Sequence, residues 1–87
     1  MKLNFAEENG IWAAYQTVND DYNVKVECDS VVDIVVSHRT SGIKFAEVHA
    51  YHNTDVVDDD FDGCVWPKTI RVTSTKEPTF GEITEAN

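Results

Sequence analysis

The chain has 87 residues, with seven Lys and Arg against sixteen Asp and Glu, a formal charge of −9. That length supports one domain with one core. The surplus of negative charge argues against a nucleic-acid backbone or an anionic bilayer as a direct partner, because both would repel the chain. Apolar residues make up 41% and aromatics 10%, enough to build a core and so unlike a disordered composition.

At the N-terminus, Glu7 and Glu8 interrupt the chain before an apolar run of signal-peptide length develops. No run approaches the ~20 apolar residues that cross a bilayer. These features point to a soluble, cytoplasmic protein. Cys28 and Cys64 lack CxxC spacing and are expected to be free thiols, acting as small buried hydrophobes.

Period two dominates in chain order. Residues 3–6 and 11–18 flank Asn9-Gly10, the preferred two-residue hairpin turn, because both of its central positions need positive φ. That loop sets Glu7 opposite Trp12, Phe5 opposite Ala14 and Leu3 opposite Gln16. A helix competes, with Asn4-x-x-Glu7 as a capping box and Ile11, Ala14, Tyr15 and Val18 on one face. Gly10 would then lie inside the helix at a cost of about 1 kcal/mol relative to Ala, so the hairpin is preferred. Tyr22, Val24, Val26 and Cys28 alternate with polar residues, as in a half-buried strand. Residues 31–36 are β-branched and read as a more central strand.

A three-residue loop, Thr40-Ser41-Gly42, with Gly42 in the left-handed region, then pairs Val36 with Ala46, Ile34 with Val48, and Val32 with Ala50. It also sets Asp33 against His49. Residues 43–51 and 69–75 complete the strands, Ile70 and Val72 facing in and Arg71 and Thr73 out. Trp66-Pro67 marks a strand start, at an edge because Pro67 cannot donate to a ladder. Residues 79–87 are polar and acidic and read as a C-terminal tail on a single domain spanning 1–78. The expected fold is mainly β: a compact antiparallel sandwich or small barrel of about six strands, with no long helix.

The densest chemistry lies at Asp55, Asp58, Asp59, Asp60 and Asp62, with no Lys or Arg between Lys44 and Lys68. This stretch reads as an acidic loop. One reading is plain solvation. A second is calcium, since Asp58, Asp60, Asp62 and Gly63 occupy positions one, three, five and six of a D-x-D-x-D-G loop. The position-twelve acid is missing, because that residue is Thr69. A third is a docking surface for a basic partner, in which carboxylates spaced on a β framework stand in for phosphates and counterion release drives association. Asp20 and Asp21 extend this patch, and Phe61 and Trp66 supply apolar anchors within it.

In size and charge the chain is similar to small acidic inhibitors carried by phages and mobile elements, including DNA mimics and some anti-CRISPR proteins. That likeness implies an inhibitor seated on the basic nucleic-acid-binding site of another protein. The alternative is a calcium-supported binding or structural β module of the virion, carbohydrate-binding or protein-interaction kind. An exposed edge strand also offers a route to a homodimer.

Nothing in the sequence frames a catalyst. No serine sits in a nucleophile elbow, and the chain has only four glycines, with no phosphate loop among them. Paired aspartates in an open loop lack the separated environments that acid–base work needs. His49 and His52, three apart on a strand, point to opposite faces and make no natural metal pair. The expectation is a non-enzymatic protein without a cofactor.

Overall fold

The structure is a computed structural model that describes residues 1–86. Six strands follow one another: β1 (Ala6–Glu8), β2 (Ile11–Val18), β3 (Tyr22–Arg39), β4 (Ala46–Phe61), β5 (Lys68–Ser74) and β6 (Phe80–Glu85). No helix occurs among the described residues, and so none that could cross a membrane. All pairings are antiparallel, in the order β1-β2-β5-β3-β4, with β6 also on β3, and the sheet does not close into a barrel.

The first hairpin forms as expected. Asn9 and Gly10 have φ of 52° and 84°, and Glu7 lies opposite Trp12. Phe5 and Leu3 do not continue this ladder. The chain crosses instead to β6, where the Leu3 N–H donates to the Gly81 carbonyl at 2.9 Å and the Ile83 N–H donates to that of Met1 at 2.9 Å.

The long strand β3 changes partners halfway. Residues 22–27 pair with β6 and residues 34–39 with β5, while β4 runs along the whole length of its other edge. Two predicted strands, 22–28 and 31–36, are therefore one strand, since no Gly or Pro separates them and bulges absorb the change of direction. The register of β3 against β4 shifts between Glu27 and Val32, between Val32 and Ile34, and between Val36 and Ser37. On β4, Asn53 has a φ of 55°, and its N–H donates to Asp33 Oδ1 at 3.2 Å.

The two halves of this bent hairpin fold over one core. Val24, Val26 and Ile83 from one half meet Ile34, Val36, Ile70 and Val72 from the other, all fully buried. The Cα radius of gyration, 12.1 Å, is that expected of a compact chain of this length.

Several expectations need correction. The second hairpin is longer than a three-residue loop: β3 ends at Arg39 and β4 begins at Ala46. Gly42 does take positive φ, 76°, in a turn closed by the Ile43 N–H on the Thr40 carbonyl at 3.1 Å. The longer loop and the bulges move the register, so Val36 faces His49, Ile34 faces Tyr51 and Val32 faces Thr54. As a result Asp33 meets His52 (Nδ1 to Oδ1, 3.5 Å) and not His49.

The supposed tail is strand β6, which pairs with β3 from Tyr22↔Glu85 to Glu27↔Phe80 and buries Ile83 completely. The domain thus extends through Glu85, and Asn87 lies outside the described residues. Finally, Pro67 does precede a strand, but β5 is central, between β2 and β3. Cys28 and Cys64 are free, as expected, yet Cys64 is exposed and only Cys28 packs against the core.

Candidate acidic binding face

The stretch expected to be a loop is the second half of β4. Asp55, Asp58, Asp59 and Asp60 are strand residues, and Asp62 follows directly. Its two faces follow from register, because directly opposed residues share a face. Tyr22, Val24 and Val26 point to the core and oppose Phe61, Asp59 and Val57. Asn23 and Lys25 therefore point outward beside Asp60 and Asp58, with Thr84 and Glu82 on their other flank.

One residue organises the outer face. The Asn23 amide donates from Nδ2 to Asp58 Oδ1 at 2.8 Å and to Asp60 Oδ1 at 3.0 Å. Both oxygens are thereby held within about 6 Å of each other. In water two such charges repel by roughly 0.7 kcal/mol, which two hydrogen bonds to charged acceptors can offset. This part of the acidic face is consequently ordered by the protein's own amide.

Asp59 lies on the other side of the strand and accepts the Tyr51 hydroxyl at 2.6 Å. Burial first, and then that hydrogen bond, push the Tyr51 phenol above its usual range.

At the end of the strand, a groove of about 400 Å³ is lined by Asp21, Tyr22, Asn23, Val48, Asp60, Phe61, Asp62 and Ala86. The Tyr22 and Phe61 rings stack there, with centroids 5.5 Å apart and planes inclined by 28°. Burial pushes the Tyr22 phenol up to about 12. The Gly63 N–H donates to Asp21 Oδ1 at 3.2 Å, tying the turn after β4 to the turn before β3. Asp20 sits in the same turn and accepts the Asp21 N–H at 2.7 Å.

Of the anticipated partner-binding residues, the structure brings Asp21, Asp60, Asp62 and Phe61 around this groove, with Asp20 next to it and Asp58 one step along the strand. Asp59 faces the opposite way, and Asp55 lies beyond Val57, toward the bend. Trp66 is not part of the groove. It packs against the core, and Lys68 Nζ sits 5.2 Å from its ring centroid.

The sequence reading missed Asn23 and Tyr51, which hold three of the aspartates, and Glu27, Glu82 and Glu85, which the register of β3 and β6 adds to the same half. Asn23 is invisible as a clamp until the pairing Asn23↔Asp60 is known.

The calcium spacing falls on extended backbone. Asp58 and Asp60 are alternate residues of an extended strand, their Cα atoms roughly 7 Å apart, whereas a calcium loop wraps its ligands around one ion. Among the described residues, no group of three or more Asp, Glu, His or Cys side chains gathers closely enough to hold a metal.

Charge divides along the bend. The half built from residues 1–3, 19–28, 56–62 and 80–86 holds nine of the sixteen acids and two of the seven bases, a formal −7. The half built from residues 4–18, 34–51 and 63–74 holds three acids and four bases, a formal +1. The remaining −3 sits at the bend itself, in residues 29–33, 52–55 and 75–79. No family model, no curated protein and no solved structure matches the chain.

Proposed function

We propose that this is a non-catalytic binding protein whose acidic half occupies the basic nucleic-acid-binding site of another protein. The observation that carries the reading is the concentration of nine acids against two bases in one half of the fold, with Asp58 and Asp60 held by a shared amide. Carboxylates at alternate strand positions, roughly 7 Å apart, recur at about twice the ~3.4 Å axial phosphate step of a nucleic-acid strand. A groove floored by Tyr22 and Phe61 and rimmed by Asp21, Asp60 and Asp62 suits an inserted Lys or Arg, its stem on the rings and its charge among the carboxylates. Such a protein is an inhibitor in the manner of DNA mimics and anti-CRISPR proteins of phages and mobile elements, and its setting is the cytosol.

The test is competition. Proteins retained at low salt on the immobilised chain are expected to elute steeply with NaCl and to be displaced by duplex DNA or RNA. Retention that survives high salt, or that nucleic acid does not compete away, would refute the reading.

A further inference from the structure

The opposite half carries a second site. Ile70 and Val72 of β5 are buried, so Thr69 and Arg71 between and beside them face outward. Register then sets Thr17 of β2 and Arg39 of β3 on either side of Thr69, one cross-strand row of two hydroxyls and a guanidinium. One residue pair along, Arg71 lies between Tyr15 and Ser37.

The loop that follows β3 comes back over this face. Phe45 takes the Arg39 Cζ at 4.6 Å and the Arg71 Cζ at 4.5 Å from its ring centroid, with the Tyr15 ring 5.9 Å away. Two cations are thus drawn to one ring and lie within about 9 Å of each other. The turn containing Ser41 and Gly42 and the start of β5 at Lys68 close the row into a groove of about 370 Å³. None of its lining residues is a carboxylate. In a chain of charge −9, a concavity lined by a guanidinium and hydroxyls and by no acid is the exception.

We infer that this groove binds the phosphate group of a small phosphomonoester, with Arg39 meeting the charge and Thr17, Ser41 and Thr69 donating hydroxyl hydrogen bonds. A guanidinium lying over a ring keeps its in-plane N–H donors for oxyanions, and its stacking fixes it beforehand. The groove is larger than a bare phosphate requires, which leaves room for the group that carries it. The net charge chooses a small molecule over a polynucleotide, since every further phosphate of a polyanion would meet the repulsion of the whole chain. This site shares no residue with the acidic half and stands independently of it.

The test is an NMR titration of the full chain with inorganic phosphate and with 5′-AMP, using adenosine and matched NaCl as controls. Saturable shifts at Thr17, Arg39, Ser41 and Thr69 are expected with phosphate and AMP and not with adenosine. Arg39→Gln should weaken AMP binding about tenfold. Lys76→Gln, at the bend, should leave it within about twofold. Thr69→Val keeps a β-branched residue in the strand and removes only the hydroxyl, so it carries the test if Arg39→Gln unsettles the loop, and a several-fold loss is expected. Shifts spread equally over Lys2, Lys25 and Lys76, equal shifts from adenosine, or variants that bind like the parent would each overturn the site.

Discussion

The two halves of the β3–β4 hairpin share strands and a core but present opposite surfaces. Inward, both are built alike: Val24, Val26 and Ile83 in one, Ile34, Val36 and Val72 in the other, all fully buried. Outward, the first half shows Asn23, Lys25, Asp58, Asp60 and Glu82, and the second shows Thr17, Arg39, Thr69 and Arg71 under Phe45. The period of two makes this possible, because each strand carries two independent rows of side chains. The inner row determines whether the chain folds, and the outer row is free to carry charge of either sign. Binding character is accordingly a property of the surface rows, not of the architecture.

If the halves share one core, damage to either must unfold both. Ile34→Ala and Ile83→Ala, one in each half and both at 0% exposure, should each cost about 2–5 kcal/mol. Each should give a single thermal transition, by circular dichroism and by calorimetry alike. Two separate transitions would mean two cores.

A smaller cost is expected where the N-terminal segment crosses to β6. A Cβ at Gly81 would stand 2.6 Å from Phe5 Cε2 and 3.3 Å from Leu3 Cβ. Gly81→Ala should therefore lose about 1–3 kcal/mol through overpacking. Gly10→Ala should lose only about 1 kcal/mol, since its cost is the backbone φ of 84° and nothing stands within 4 Å. Denaturant midpoints of the two variants would separate steric from conformational cost, and equal losses would contradict this account.

The alkaline limb provides a further probe of the acidic half. Tyr22 is buried as the neutral phenol, with its pKa pushed up to about 12 against an ordinary value of 10.0. A proton bound more tightly in the native state contributes stability that is complete below pH 10 and is lost as pH rises toward 12. Tyr51, shifted in the same direction, adds to this loss. The melting temperature should fall over that range, and less steeply in Tyr22→Phe. A Tyr22→Phe variant whose alkaline decline matches the parent would rule out this assignment.

Least effect on stability, and most on binding, is expected from Asp58, Asp59, Asp60 and Asp62→Asn together. Relief of like-charge repulsion offsets the weaker hydrogen bonds to Asn23 and Tyr51, so the melting temperature should stay level or rise slightly while retention of a cationic partner disappears. A variant that unfolds would show that these aspartates serve the fold.

Legibility from sequence followed local chemistry. The Asn9-Gly10 turn was readable because only that backbone suits a two-residue hairpin, and the positive φ of Gly42 was readable for a similar reason. The β3–β4 register was not, since the irregularities slip the ladder by one residue or more and leave no mark in composition. Residues 55–62 looked like a loop because aspartate is a poor strand former. What makes them strand is tertiary: the valine-rich start of β3 beside them and the burial of Val57 at 2% exposure. Strand β6 was missed because Ile83 is the only large apolar residue of its inner row, between Gly81 and Glu85. Of the acidic site, the residues were legible but not their sides. Without the register, the opposite pointing of Asp59 and the clamp at Asn23 had no signal.

The division of charge is tested most directly by an NMR titration of the intact chain with a short Arg/Lys-rich peptide at low salt. Shifts confined to residues 20–25 and 58–63 are expected, reversed by added NaCl and absent from the four-fold Asn variant. Shifts distributed over both halves, or unchanged in that variant, would contradict it.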